Sequence, residues 1–446
     1  MTTAELKTAN AQAVAGWPAR AEARAAEHRE PAWAIERRRA AALVAATLPF
    51  PDRGMELWRR TDFGALALGE LSPVAPATRA RGIDDLPAPI VERLSGEAGH
   101  VGLLVQRGGE VVLEQTHPEL ERQGVVVCSI ERALREHGER LEPRLGALVE
   151  TDHDAYTALQ AAVRSGGAFV WVPDGVEAAL PIQLFQWIDG PGALNAPANV
   201  VVLGRGARVT VIEDQLSEAF DGLAFHAGST EVFVGDDARL VYASNEEWGP
   251  TVYHYSNQRA RLGHGAEVQW VQNLLGGRMV KMNAYFDLAA PGAQAYVHGF
   301  MFGDRRQHFD LHTLQRHLMD HTTSDLLIKC VLKDRARSVY QGLIQVSEGA
   351  QRTDAYQANR NLLLSETARA DSIPGLEILA NDVRCTHGAT IGQVDEEQMY
   401  YLMTRGLRRN EAQRLIVEGF FAPVLDRIPL DGVRERLRHA IQHKIG

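Results

Sequence analysis

Apolar residues recur along this chain in three different rhythms. Through residues 1–48 they fall at irregular helical spacing, with Trp33, Ile35, Leu43 and Val44 set in an Ala-, Glu- and Arg-rich stretch. That pattern predicts one or two helices interrupted at Pro31. The segment LPFPDRGMELWRRTDF then breaks regularity with two prolines and a glycine before an amphipathic stretch around Leu57 and Trp58. HVGLLVQRGGEVVLEQ (100–115) is two apolar runs about a Gly-Gly turn, which reads as a hairpin. SIERALREHGERL (129–141) is helical, with Ser129 placed to cap it and Glu131 in the first turn. Residues 1–165 therefore read as a helical and small α/β region.

The second rhythm begins near residue 166 and has period two. FVWVPDG is an alternating run ended by a turn, and from there one phrase returns: a turn, usually an alanine, a polar residue, then apolar alternation. It occurs as GARVTV at Ala207, DARLVY at Ala238, GAEVQW at Ala266 and GAQAYV at Ala293, and more loosely at Ala336, Ala350 and Ala368. The first gaps are 31, 28 and 27 residues, and the later ones of 14 and 18 are nearer half that length. Parallel strands normally need long helical crossovers, and no helical pattern of useful length lies between these strands. A solenoid pairs strands by winding coil upon coil and needs none. The fold class is therefore mainly β, with a β-helix core over 166–392. An antiparallel sandwich is the competing architecture.

The third rhythm is helical again and covers 393–446. Asp395 is placed to cap EEQMYYLMTRG, closed by Gly406, and Asn410 to cap the following helix. Leu415, Ile416, Gly419 and Phe420 fall on one face of that helix, so Phe420 is expected in the core. An exposed Phe421 would then mark a docking surface. Val433, Leu437 and Ile441 keep helical spacing in the last segment. These helices are expected to cover the open edge that a solenoid must protect.

Composition narrows the function by exclusion. Lys and Arg number 47 against 57 Asp and Glu, a net charge of −10 over 446 residues, which disfavours tracking a nucleic-acid backbone. Cys128, Cys330 and Cys385 are too few and too scattered for a disulfide framework or a self-contained thiolate cluster. No secretory leader pattern is visible, and the apolar stretch Ala40–Phe50 is too short to span a bilayer, so a cytoplasmic location off the membrane is expected. The nucleotide-loop, zinc-protease and nucleophile-elbow motifs are absent, and Gly204-x-Gly206 is a turn device within the repeat. No catalytic signature remains.

Two constellations carry donor chemistry. In NDVRCTHGAT (381–390), Cys385 and His387 stand two residues apart, so a strand sends both from one face. A thiolate and an imidazole are two ligands, fewer than zinc or an iron–sulfur cluster needs, so a second chain would have to complete the site. The alternative is that Val383, Cys385 and Ala389 mark a buried face and His387 is a hydrogen-bonded rim residue. The second constellation is His298, His308, His312, His317 and His321, where His308, Asp310 and His312 alternate with Phe309 and Leu311. It reads as a solvated outer face of a coil.

With EPAWAIERRR, LPFPDRGMELWRRTDF, FVWVPDGVEAALPIQLF, the long block from RSVYQGLIQV to MYYLMTRG, and EAQRLIVEGFFAPVLDRIP in view, the chain resembles the SufB/SufD family of iron–sulfur cluster assembly scaffolds, most closely its SufD branch. The resemblance runs from about Pro31 to the C-terminus. It implies a right-handed parallel β-helix in a complex with SufB and the ATPase SufC, and a scaffold subunit without catalysis of its own. SufC would bind the C-terminal helices, giving Arg405, Gly406, Glu418, Gly419, Phe420 and Phe421 a docking role. SufB would join through the β-helix ends, and the same surface would let the isolated chain form a homodimer. No cofactor would stay bound to the chain alone. Iron or a nascent cluster would be held transiently between the two chains, with the family's SufD histidine falling on His387 and Cys385 beside it. Departures from SufB set the branch: His387 is followed by Gly388 rather than an acidic residue, and no cysteine stands near Asn359–Asn361. A purely structural partner subunit and a carbohydrate-active β-helix enzyme are the alternative functions.

Overall fold

The computed structural model describes residues 10, 12, 14–73, 78–95, 99–428 and 431–445. From Ala168 onward the period-two alternation resolves into parallel strands wound in about eight turns, each giving one strand to each of two facing sheets. One sheet runs through Ala168–Val172, Ala198–Leu203, Ala224–Val234, Val252–Leu262, Met279–Leu288, His308–His317, Arg337–Val346 and Arg369–Ile378. The other runs through Ile182–Ile188, Arg208–Ser217, Arg239–Glu247, Glu267–Leu274, Gln294–Gly303, Thr323–Leu332, Asp354–Leu363 and Arg384–Gln393. All of these neighbours pair parallel, which excludes the sandwich.

The recurring phrase is the corner between sheets. Gly206, Asp237, Gly265 and Gly292, each just before the phrase's alanine, take positive φ of 66°, 56°, 60° and 74°. That left-handed step favours Gly or Asp, and it swings the chain from one sheet to the other. Ala207, Ala238, Ala266 and Ala293 then point into the lumen with no exposure. Ala336 and Ala368 immediately precede strands of the opposite sheet, which explains the half-length gaps.

The chain enters by way of helices α1 (Trp17–Glu27) and α2 (Ala32–Thr47), separated at Pro31 as the spacing predicts. Helix α3 (Ala88–Ser95) leads to the Gly102–Arg107/Glu110–Thr116 hairpin, whose Gly108 and Gly109 both have positive φ. Short helices α4 (Pro118–Arg122), α5 (Ile130–Glu136) and α6 (Gly138–Leu141) follow, with Ser129 Oγ accepting from Arg132 N–H at 3.3 Å. Helix α7 (Ala155–Val163) packs with α1 and α2 on the outer face of the first sheet. There Trp17, Trp58, Phe63, Tyr156 and Leu159 meet Phe225, Tyr253 and Tyr255.

The C-terminal helices are α8 (Glu396–Thr404), α9 (Arg409–Leu425) and α10 (Asp431–Ile445). Asp395 caps α8 by accepting from Glu397 N–H at 2.8 Å, and Gly406 closes it with φ 95°. Helix α9 starts one residue before the expected cap. Glu411 reaches back to Arg408 N–H at 2.7 Å, and Asn410 lies inside the helix. Its buried face is Ala412, Val417, Phe421, Val424 and Leu425, so Phe421 is the core residue while Phe420 is half-buried and Leu415 exposed. The expected apolar face was one position out of phase, because the Gly419-Phe420-Phe421 run allows either ring to face inward. Helices α9 and α10 lie on the outer face of the second sheet against Phe300, Phe302 and Val331. They do not cover the open edge.

The histidine-rich stretch also departs from expectation. His298, His308, His312 and His317 are buried, and only His321 is exposed. His308, Asp310 and His312 do point outward, as the alternation requires, but the Leu57–Asp62 segment covers them. Thr61 Oγ1 bonds His308 Nε2 at 2.8 Å and donates to Asp310 Oδ2. Lys281, in register with Asp310, puts Nζ 2.9 Å from Oδ2, 3.1 Å from His312 Nε2 and 2.8 Å from Leu57 O. This fully buried ion pair fastens the N-terminal segment to the solenoid.

Candidate functional site

The last turn differs from every turn below it. Arg369–Ile378 and Arg384–Gln393 are the terminal strands of their sheets, each paired on one side only among the described residues. Their N–H and C=O groups on the other side form two unpaired edges. The ladder register sets Cys385 above Ala355, His387 above Gln357, Ala389 above Asn359 and Ile391 above Asn361. The lower members of these pairs are buried and lumen-facing, so the upper members share that face.

With no further turn above, this face is open. Leu376, Ile378 and Ile391 are 37%, 37% and 49% exposed. His387 is exposed and has no side-chain partner among the described residues. Ala389 is exposed as well, so the buried-face reading fails there, while Val383 and Cys385 are half-buried against Ile344, Val346, Ala350, Ala355 and Ala380.

The three thiols are not equivalent. Burial pushes Cys128 and Cys330 up to about 12, which keeps them protonated and inert. Cys385 is also raised, first by burial and then by the Asp354 carboxylate, but it is the one thiol not fully enclosed. It shares a strand face with an accessible imidazole. The pair can offer one sulfur and one nitrogen donor to a soft or borderline metal. Among the described residues no three His, Cys, Asp or Glu side chains converge as a metal site. Two donors leave a four-coordinate site half filled.

The expected docking residues occupy a second surface. Arg405, Gly406 and Gly419 are exposed, Glu418 and Phe420 half-buried, and Phe421 buried. Helix α8 touches little but α9, held by Arg409 to Glu396 at 2.7 Å. Tyr400, Tyr401 and Met403 project from it at 71%, 58% and 40% exposure, and the Arg405 guanidinium lies 5.2 Å from the Tyr401 ring. The sequence pattern did not single out these aromatics, although three large side chains in a helix with so shallow an apolar stripe were its visible signal. It also missed Gln357, whose place below His387 follows only from the register.

Known proteins give the same outline. Residues 186–420 match the family model described as SUF system FeS cluster assembly, SufBD core domain. Residues 106–184 match the SufBD protein N-terminal region. The chain is 30% identical to the iron-sulfur cluster assembly protein SufD of Bacillus subtilis, over 94% of this chain and 95% of that protein. It is 26% identical to an iron-sulfur cluster assembly SufBD family protein of Staphylococcus epidermidis, over 90% and 87%. A family member from Staphylococcus aureus is similar at 25% identity, again over 90% and 87%.

Proposed function

The chain belongs to the SufBD family, as a SufD-like protein of SUF-system iron–sulfur cluster assembly, and from that premise we propose that it is the partner subunit of a SufB–SufC–SufD complex. The observation that carries the reading is the open last turn, where two unpaired edges, an exposed apolar lumen face and a half-set of metal donors coincide. A second solenoid docked end to end would pair both edges and bury Leu376, Ile378 and Ile391. It would also bring its own ligands to Cys385 and His387. Iron and sulfide are then cargo, held between two chains and owned by neither. In its competent form the thiol gives up its proton and the imidazole is neutral.

Helices α8 and α9 are the coupling element. Tyr400, Tyr401, Met403, Arg405 and Gly406 form an accessible aromatic and cationic surface suited to the ATPase SufC. Phe421 roots that surface in the second sheet, whose last strand carries His387. Movement of two docked ATPase subunits on ATP binding would thus be passed to the junction of the two solenoids.

The test is co-purification with SufB and SufC followed by iron and sulfide analysis. His387→Ala should leave the complex intact while its iron and sulfide fall well below wild type. Cys385→Ser should separate a ligating thiol from a packing one. Undiminished cluster content in both variants would leave a purely structural partner subunit.

A further inference from the structure

Gln357 lies one turn below His387 in the same lumen-facing column, its partner across a ladder whose strands are about 4.8 Å apart. Its carboxamide is fully buried, and neither Oε1 nor Nε2 has a partner. Buried amides left empty on both sides are rare and call for a reason. The opposite wall is shaped to admit this one. Gly342 carries no side chain, and a Cβ there would sit 2.5 Å from both amide atoms of Gln357 and against the Tyr340 hydroxyl. Tyr340 is already engaged with Thr313 Oγ1 at 2.8 Å. Above Tyr340 in the ladder, Ser372 has a buried, unpartnered Oγ, and Gln315 Oε1 is unpartnered lower down. Unsatisfied polar atoms thus occupy lumen-facing positions on both walls in the last coils, Gln357 among them in register with His387, in a lumen otherwise lined by groups such as Leu326, Ile328 and Ile344.

Buried donors and acceptors that no protein group satisfies are where an internal water is held. We propose that Gln357 is a positioning residue for His387. Its carboxamide holds an ordered water, shared with Ser372, that hydrogen-bonds the imidazole nitrogen facing the lumen. That bond fixes the tautomer and leaves the other nitrogen turned to the junction for the metal cargo. The inference rests on the reading of His387 as a donor, but the hydrogen bond exists in the isolated chain and is measured there.

The experiment is nitrogen NMR of the full chain labelled with 15N-histidine, with His387 assigned by the signal lost in His387→Gln. With the ring neutral, His387 should show two well-separated nitrogen shifts, the mark of one tautomer. Gln357→Leu, or Gln357→Met should the first not fold, should draw the shifts toward the averaged values of free histidine. In the assembled complex the same variant should bind iron(II) about tenfold more weakly. Averaged shifts in wild type, or unchanged shifts in a folded variant, overturn the proposal. A tautomer change without any loss of iron binding keeps Gln357 in this role and removes His387 from the ligand set.

Discussion

Phe421 and Phe420 are adjacent, yet replacement of Phe421 by Ala should cost clearly more than replacement of Phe420. Phe421 is fully buried, its ring 4.9 Å from Phe300 and 6.2 Å from Phe302. Truncating such a ring typically costs about 3–5 kcal/mol, since the second sheet and helix α10 cannot close over the void. Phe420 is half-buried and its main specific contact is the Lys329 ammonium, 4.6 Å from the ring centroid. Lys329 is itself buried, so that contact and the partial burial together are worth about 2 kcal/mol. Helices α9 and α10 pack on the outer face of the second sheet and take no part in its ladders, so the quantity to follow is local. Hydrogen exchange of the α9 amides, run beside urea denaturation, separates helix release from global unfolding. Phe421→Ala should accelerate exchange through α9 far more than Phe420→Ala, and should weaken ATPase docking as a consequence. Equal effects of the two substitutions would refute the assignment of Phe421 as the anchor.

Other consequences follow from buried charge. Burial raises the Asp310 carboxyl, but Lys281 and His312 outweigh it and hold the group well below the usual carboxylate range. Lys281→Met strands that carboxylate and should destabilise the protein by about 3–5 kcal/mol, with much of the loss recovered in Lys281→Met/Asp310→Asn; a cost under about 1 kcal/mol in denaturation would dismiss the clamp. His317, between Thr322 Oγ1 at 2.7 Å and Ser324 Oγ at 2.8 Å, is held by burial down at about 4 from 6.5. Its stabilisation is complete above pH 6.5 and is lost as pH falls toward 4, because only the unfolded chain takes up the proton in that window. The stability gap between wild type and His317→Gln should therefore shrink by about 2 kcal/mol from pH 7 to pH 5, and a constant gap would contradict the sign. His387→Ala, at an exposed position, should change stability by no more than about 0.5 kcal/mol.

The solenoid was legible because its corners repeat a local requirement. A left-handed residue and a lumen-facing alanine recur at four successive corners, and a short phrase can record both. The pairing of Cys385 with His387 was legible for the same reason, since strand alternation alone puts them on one face. What lay beyond the pattern was which surfaces other parts of the chain cover. His308 and His312 alternate outward as read, yet Thr61, some 250 residues earlier, lies over them. The 29-residue step from Lys281 to Asp310 is one coil, so the ion pair follows from the period once the register is fixed. Alternation shows that a residue faces outward; whether water or the N-terminal segment meets it depends on contacts the period does not encode. The same limit applied to the C-terminal helices, whose apolar faces suit a sheet face as well as a sheet edge.

The claim at the centre of this account is that the last turn is completed by another chain. Hydrogen exchange of Arg369–Ile378 and Arg384–Gln393, with and without SufB, measures it directly. In the isolated chain, amides on the two free edges should exchange fast, while those paired to Arg337–Val346 and Asp354–Leu363 stay protected. Binding SufB should protect the free-edge amides and leave α8 unchanged; adding SufC should protect α8 and not the edges. A stable complex in which the edges of the last turn exchange as fast as before would contradict the account.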